Sequence, residues 1–303
     1  MISLVLILIA SLFFMGIVVR TKSMAQGRKG PGLFQPLKDV LRLFRKGTVY
    51  SKTTSAIFRI APTAYLASVL MAILTIPHGS LPGLISFNGD FVLFAYLLAF
   101  GKFWVIIGAL DTGSSFEGMG ASREALFSML VEPAFFILMG SFALLTGQTS
   151  FQGIFSLLHF GSDISYLLGV LATAVIVLIA MLENSRMPFD DPKTHLELTM
   201  VHEVMILDNS GFDLGLITYT TFLKFAMYGA LIADLFIGQL PPEISIPVFF
   251  GVQAVFAVIV GLIESFIARF RMGHNPQFIF ILSSLALLIF FGMLLLTGTF
   301  YNL

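Results

Sequence analysis

The chain has 303 residues, of which 57% are hydrophobic and 11% charged, and its formal net charge is zero. With a mean hydropathy of +0.95, this composition leaves no stretch for a separate soluble domain and points to a single membrane domain over 1–303. The balanced charge argues against a nucleic-acid partner, and the absence of cysteine removes the usual ligands for iron-sulfur clusters and soft metal sites.

A helix needs roughly 20 apolar residues to cross a ~30 Å hydrocarbon layer. In chain order such runs fall at about 2–19, 57–77, 91–110, 122–146, 164–183, 213–237, 246–268 and 277–300. The expected fold is therefore an all-α polytopic membrane protein with eight transmembrane helices. Fifteen of the seventeen Lys and Arg residues lie in or beside alternate gaps. Ten run from Arg20 to Arg59; Arg123, Arg186, Lys193, Arg269 and Arg271 complete the set. By the positive-inside rule, both termini lie outside and the loops at about 20–56, 111–122, 184–212 and 269–276 face the cytoplasm. No basic residue precedes the first run and many follow it, the reverse of a cleavable signal, so it is expected to remain as a helix.

The first basic loop opens with Gly27, Arg28, Lys29, Gly30, Pro31 and Gly32, which read as a turn. An amphipathic helix is expected next. Pro36 suits its first position, Leu37, Val40, Leu41 and Phe44 recur on one side, and Gly47 can close it. Lys38, Arg42, Arg45 and Lys46 flank that stripe, as in a cytoplasmic helix lying in the membrane interface. Its role could be lipid contact or the docking of a soluble subunit.

Ionisable residues inside spans are costly unless paired or hydrated. Lys102 lies some eight residues, about 12 Å, from the cytoplasmic end of the third span. Glu132 and Lys224 lie deep in theirs, Glu124, Glu183 and Glu264 near the cytoplasmic ends, and Asp234 toward the outer end of the sixth. Acids and lysines at similar depth could form a hydrated line for proton exchange, or buried pairs that fix helix packing.

The fifth gap gathers Glu183, Asp190, Asp191, Glu197, Glu203, Asp208 and Asp213 around only Arg186 and Lys193. Pro188 and Pro192 bracket a rigid turn, and a short helix is expected over 193–207. The loop reads either as a solvated face or as a proton-exchanging vestibule. His195 and His202 could share a helical face, but Glu203 would project about 100° away, so no metal site is assigned.

The run Glu183-Asn184-Ser185-Arg186-Met187-Pro188-Phe189-Asp190, with Pro192, Glu197-Leu198 and Ser210-Gly211 after it, resembles the fifth-to-sixth span loop of the complex I subunit 1 family. Arg28-Lys29-Gly30-Pro31 followed by Phe34 to Asp39 resembles that family's Gly-Pro turn and amphipathic helix. The stretch from Leu110 to Glu124, with Val131-Glu132-Pro133, is similar to a signature of its hydrogenase branch, which contains the membrane anchors of group 4 nickel-iron hydrogenases and formate hydrogenlyases. Quinone-reducing members carry Glu at the positions of Lys193 and His195, whereas this chain keeps only Glu197.

The resemblance implies a non-catalytic subunit of the prokaryotic cytoplasmic (inner) membrane that carries no cofactor itself. Its expected partners are soluble hydrogenase large and small subunits, a ferredoxin-like iron-sulfur subunit and antiporter-like membrane subunits. The nickel-iron centre and iron-sulfur clusters would reside in those partners. Lys102, Glu124, Glu132, Glu183, Asp190, Glu197, Glu203 and Lys224 are expected to couple protons or other ions. Arg28, Lys29, Gly30, Pro31, Gln35 and Arg186 are expected to face the soluble arm. A quinone-cavity subunit of a respiratory complex and an autonomous ion transporter are the alternatives.

Overall fold

A computed structural model describes residues 2–79, 81–158, 163–190, 200–238 and 240–298. Among them, eight helical segments are long and apolar enough to cross a membrane, and no strand is formed. The chain is a multi-pass membrane protein.

The first span is two helices, α1 (Ile2–Ser11) and α2 (Phe14–Ala25), interrupted at Leu12 and Phe13. It runs past the expected end at 19 because hydropathy senses apolar surroundings rather than helicity, and α2 continues through Arg20 and Lys22. The chain then turns back along α2: Gly30 packs on Arg20 and Ser23, and the Leu33 backbone lies directly against Gly16. A side chain at Gly16 would occupy the space of the Leu33 carbonyl.

The expected amphipathic helix is α3 (Gln35–Phe44), with Pro36 in its first turn. Its stripe is divided: Val40 is buried, whereas Leu41 is exposed. Phe44 stacks at a tilt against Phe212, with ring centroids 5.5 Å apart.

The remaining span helices are α4 (Ala56–Ile73), α5 (Asp90–Asp111), α6 (Ser115–Thr146), α8 (Asp163–Glu183), α10 (Gly211–Ile237), α11 (Pro242–Phe266) and α12 (Asn275–Leu296). Two short helices, α7 (Phe151–Leu157) and α9 (His202–Met205), lie between them. α7 was not expected; the Ser150 hydroxyl caps it by accepting from the Gly153 N–H at 3.1 Å. α6 has 32 residues, so it is about 48 Å long and extends beyond a ~30 Å hydrocarbon layer. Most of the expected 111–122 loop is therefore helix. Asp111 accepts from the Ser55 N–H at 2.7 Å and from the Phe58 N–H at 3.3 Å, joining the end of α5 to the start of α4.

α4 packs along α5, α6 along α12 and α2 along α11. α10 is nearly wholly buried and touches α1, α3, α4, α8 and α11. Lipid tails are as apolar as these side chains, so close backbone approach and polar contacts drive such packing. On α5, Gly101 faces Ser68 and Tyr65 while Gly108 faces Ala61, which lets α4 approach closely.

At the end of the bundle opposite the basic loops, buried Asp90 accepts from the Phe151 N–H at 2.7 Å and buried Asp234 from the Gly79 N–H at 3.2 Å. His78 shares a 3.0 Å hydrogen bond with Ser245, and burial pushes its imidazole pKa down.

Candidate functional site: a buried lysine and carboxylate cluster

Two lysines on different helices converge on one carboxylate. Lys102 of α5 reaches the α8 terminus, where its Nζ lies 2.8 Å from Glu183 Oε1. Lys224 of α10 approaches from the other side, 3.0 Å from Glu183 Oε2, and donates to the Glu183 backbone carbonyl at 2.7 Å. Lys102 also contacts Glu124 of α6 at 3.1 Å and donates to Ser128 Oγ at 2.7 Å. Lys102 and Lys224 are only 7% and 1% exposed, which makes these pairs the condition for keeping either charge inside the bundle.

The end of α8 is shaped to present Glu183. Ser185 adopts a left-handed conformation with φ of 50°. The Ser185 N–H donates to the Leu182 carbonyl and the Arg186 N–H to the Met181 carbonyl, at 3.0 and 2.8 Å, the two bonds of a Schellman cap.

Two small cavities flank the cluster. One, of about 30 Å³, is lined by Lys102, Ser128, Glu132, Glu183 and Tyr228. The other, of about 10 Å³, is lined by Tyr65, Glu124, Asn184, His202 and Lys224 together with Lys102 and Glu183. The larger has room for about two waters. Glu132 faces this space but makes no ion pair among the described residues. Pro133 follows it inside α6 and removes one backbone donor there.

The other expected site residues fall elsewhere. Asp190 is 2.7 Å from Arg269, and its second oxygen accepts from the N–H groups of Val201 and His202 at 3.2 and 2.9 Å. Glu203 is half-buried on α9 and lines neither cavity. Glu197, Lys193 and His195 lie outside the described residues. Arg28, Lys29 and Pro31 are exposed, Gly30 and Gln35 half-buried, and Gln35 donates to Asp39 at 2.8 Å.

Arg186 departs from the expected surface position: it is 8% exposed and turned into the bundle. It lies 3.1 Å from Glu264 and against the Met15 sulfur. Lys22 approaches the same Glu264 at 3.5 Å. The reason is electrostatic, because Glu264 at the end of α11 is buried and needs compensating cations.

Sequence reading missed Tyr65, Ser128, Asn184 and Tyr228 as cavity lining and treated His202 only as a possible metal ligand. Among the described residues no group of His, Cys, Asp and Glu could hold a metal ion. Replacing Asp190 with Ala should remove both its pair with Arg269 and its hold on α9, a loss of about 1.5–3 kcal/mol. Faster hydrogen exchange at the Val201 and His202 amides is expected, and unchanged exchange there would contradict this anchoring.

These features define a polytopic membrane subunit that keeps a compensated set of charges inside its bundle, next to an acidic loop. The chain belongs to the NADH dehydrogenase family, whose model matches residues 1–296. It is 30% identical over 233 residues to hydrogenase-4 component C of Escherichia coli, covering 77% of this chain and 73% of that protein. It is 26% identical over 274 residues to formate hydrogenlyase subunit 4 of the same organism, covering 86% and 87% of the two. An NADH-quinone oxidoreductase subunit of Solibacter usitatus is 27% identical over 282 residues, covering 88% of this chain and 70% of that one. The solved structure of the membrane-bound sulfane sulfur reductase, an archaeal respiratory membrane complex, contains a chain with the same fold. Its TM-score is 0.82 at 18% identity, over 96% of this chain and 97% of that one.

Proposed function

We propose that this chain is the membrane-anchoring and energy-coupling subunit of a multisubunit hydrogenase-type oxidoreductase complex. The observation that carries the reading is Glu183, shared by Lys102 and Lys224 beside the acidic loop. The relatives named as hydrogenase-4 and formate hydrogenlyase subunits support the class of complex. In this reading both termini face outward, the basic loops face the cytoplasm and α3 lies in the interface. Soluble subunits holding a nickel-iron centre and iron-sulfur clusters dock on that face beside Arg28, Lys29 and Pro31. Antiporter-like membrane subunits flank the bundle.

The coupling is electrostatic. A change of charge in the docked arm acts on the acidic loop, where Asp190 links the 186–190 turn to α9 and Arg269. α9 brings His202 to the cavity that contains Glu124, Glu183 and both lysines. A proton or cation moved at one member changes the energy of every other, because a low-dielectric interior screens them weakly. Glu132, which borders the same cavity as Lys102 and Glu183, is the next acceptor in this reading.

Purifying the tagged complex in mild detergent and measuring its proteins, metals and quinone tests the assignment. Nickel and iron with cysteine-rich subunits are expected. Iron and quinone without nickel would replace this reading with a quinone-reducing complex, and a metal-free single chain would reopen the transporter. In vesicles containing the complex, Glu132→Gln should reduce ion movement severalfold while assembly is preserved. Unchanged ion movement would remove Glu132 from the path.

A further inference from the structure

We propose that the α11–α12 turn and the outer face of α12 form a binding site for one anionic phospholipid, which acts on the acidic loop through Arg269. After α11 the chain passes through Arg269, Phe270 and Arg271, makes one 3-10 turn over Met272–His274 and enters α12. An open groove of about 550 Å³ lies on this turn, with Arg269, Arg271, His274 and Gln277 around Phe278 and Ile281. Arg271, His274 and Gln277 are exposed. The groove is thus cationic at its rim and apolar where it meets the helices.

A second groove of about 560 Å³ lies further along α12, one turn beyond the first, lined by Ser284, Leu288, Phe291 and Leu295 among others. Ile281, Ser284, Leu288, Phe291 and Leu295 recur at helical spacing, so the track follows one face of the helix. From Ile281 to Leu295 it spans about 21 Å, more than half of a ~30 Å hydrocarbon layer. A cationic pocket at the end of a membrane helix, continued by an apolar track of acyl-chain length, has the charge and shape of a two-part amphiphile. Basic pockets on the cytoplasmic side of membrane helices suit anionic headgroups.

This groove shares parts with the acidic loop. Arg269 lines it and also holds Asp190 at 2.7 Å. The Phe270 N–H donates to the Pro188 carbonyl at 2.9 Å, and Asn275 donates to the Phe189 carbonyl at 3.2 Å. The Phe278 ring packs 5.2 Å from both Phe189 and Phe270. A phosphate in the groove competes with Asp190 for Arg269, so lipid occupancy sets how tightly the 186–190 turn is held. The effect on coupling rests on the proposed function; the lipid site does not.

The test uses the intact complex, delipidated in mild detergent, supplied with phosphatidylglycerol or phosphatidylcholine and weighed by native mass spectrometry. The wild-type complex should keep one more phosphatidylglycerol than the Arg271→Gln, His274→Gln double variant. The variant's retention should be at least roughly fivefold weaker, the effect of removing the Arg271 charge, with the polar contact of His274 lost as well. Both side chains are exposed, so the variant should assemble normally, and subunit stoichiometry in the same spectra checks this. Equal retention by the two complexes, no preference for phosphatidylglycerol, or displacement of the lipid by inorganic phosphate would overturn the proposal. So would a photo-reactive residue in place of Gln277 that crosslinks to a protein chain instead of lipid. Lipid counting needs no redox turnover, so failure of this site and failure of the coupling assignment are read separately.

Discussion

Glu183→Gln should abolish redox-driven ion movement by the assembled complex and lower its yield in the membrane. The carboxylate lies between Lys102 and Lys224, at 2.8 and 3.0 Å. After its charge is removed, Lys102 retains Glu124, but Lys224 loses the carboxylate that pairs it among the described residues and is left with neutral acceptors, the backbone carbonyl of residue 183 and the new side-chain amide oxygen. Removing one partner from a buried ion pair costs about 3–5 kcal/mol, mostly from the charge left behind. A second substitution separates packing from coupling: Lys224→Met combined with Glu183→Gln removes the stranded ammonium and should recover most of the yield. Ion movement should remain absent. The measurement is acidification or cation uptake in vesicles, scored per assembled complex, and wild-type rates in either variant would remove Glu183 from the path.

Gly16→Ala should destabilise the first loop by about 1–3 kcal/mol, the usual cost of overpacking. Its Cβ would enter the space of the Leu33 carbonyl, which belongs to the backbone, so no change of the Leu33 side chain can relieve it. The Gly27–Phe34 turn would move away from α2 and take Arg28, Lys29 and Pro31 with it. Weaker recovery of soluble subunits with the tagged membrane chain is expected, while α10 and its cluster remain in place. A thermal midpoint and subunit recovery equal to wild type would show that the close approach at Gly16 is dispensable.

The spans were legible because hydrocarbon imposes a length and a composition on any helix that crosses it. Lys102, Glu124, Glu183 and Lys224 were equally legible as buried charges, since depth follows from position along a span. Their pairing was not, because depth is axial and says nothing of which way a side chain points around its helix. For that reason Glu132, at a depth similar to that of Lys224, could not be distinguished from Glu124 as the partner of Lys102. Arg186 was expected to face the soluble arm from the family resemblance of its loop, yet the turn after the α8 cap directs it to Glu264. The 32-residue length of α6 was hidden because its first turns carry Glu117, Arg123 and two glycines, Gly118 and Gly120, which reads as a loop by composition.

The sharing of Glu183 has an arithmetical consequence. Lys102 and Lys224 bring two positive charges, Glu124 and Glu183 two negative ones, and the four cancel. Glu132 is the odd fifth member: it faces the same cavity without an ion pair among the described residues, and in the proposed function it is the group whose occupancy by a proton or cation sets the total. In the proposed function, a bundle holding such a set works as a capacitor with a single movable plate: a charge arriving beneath the acidic loop would be answered by a change of total at Glu132 inside the membrane.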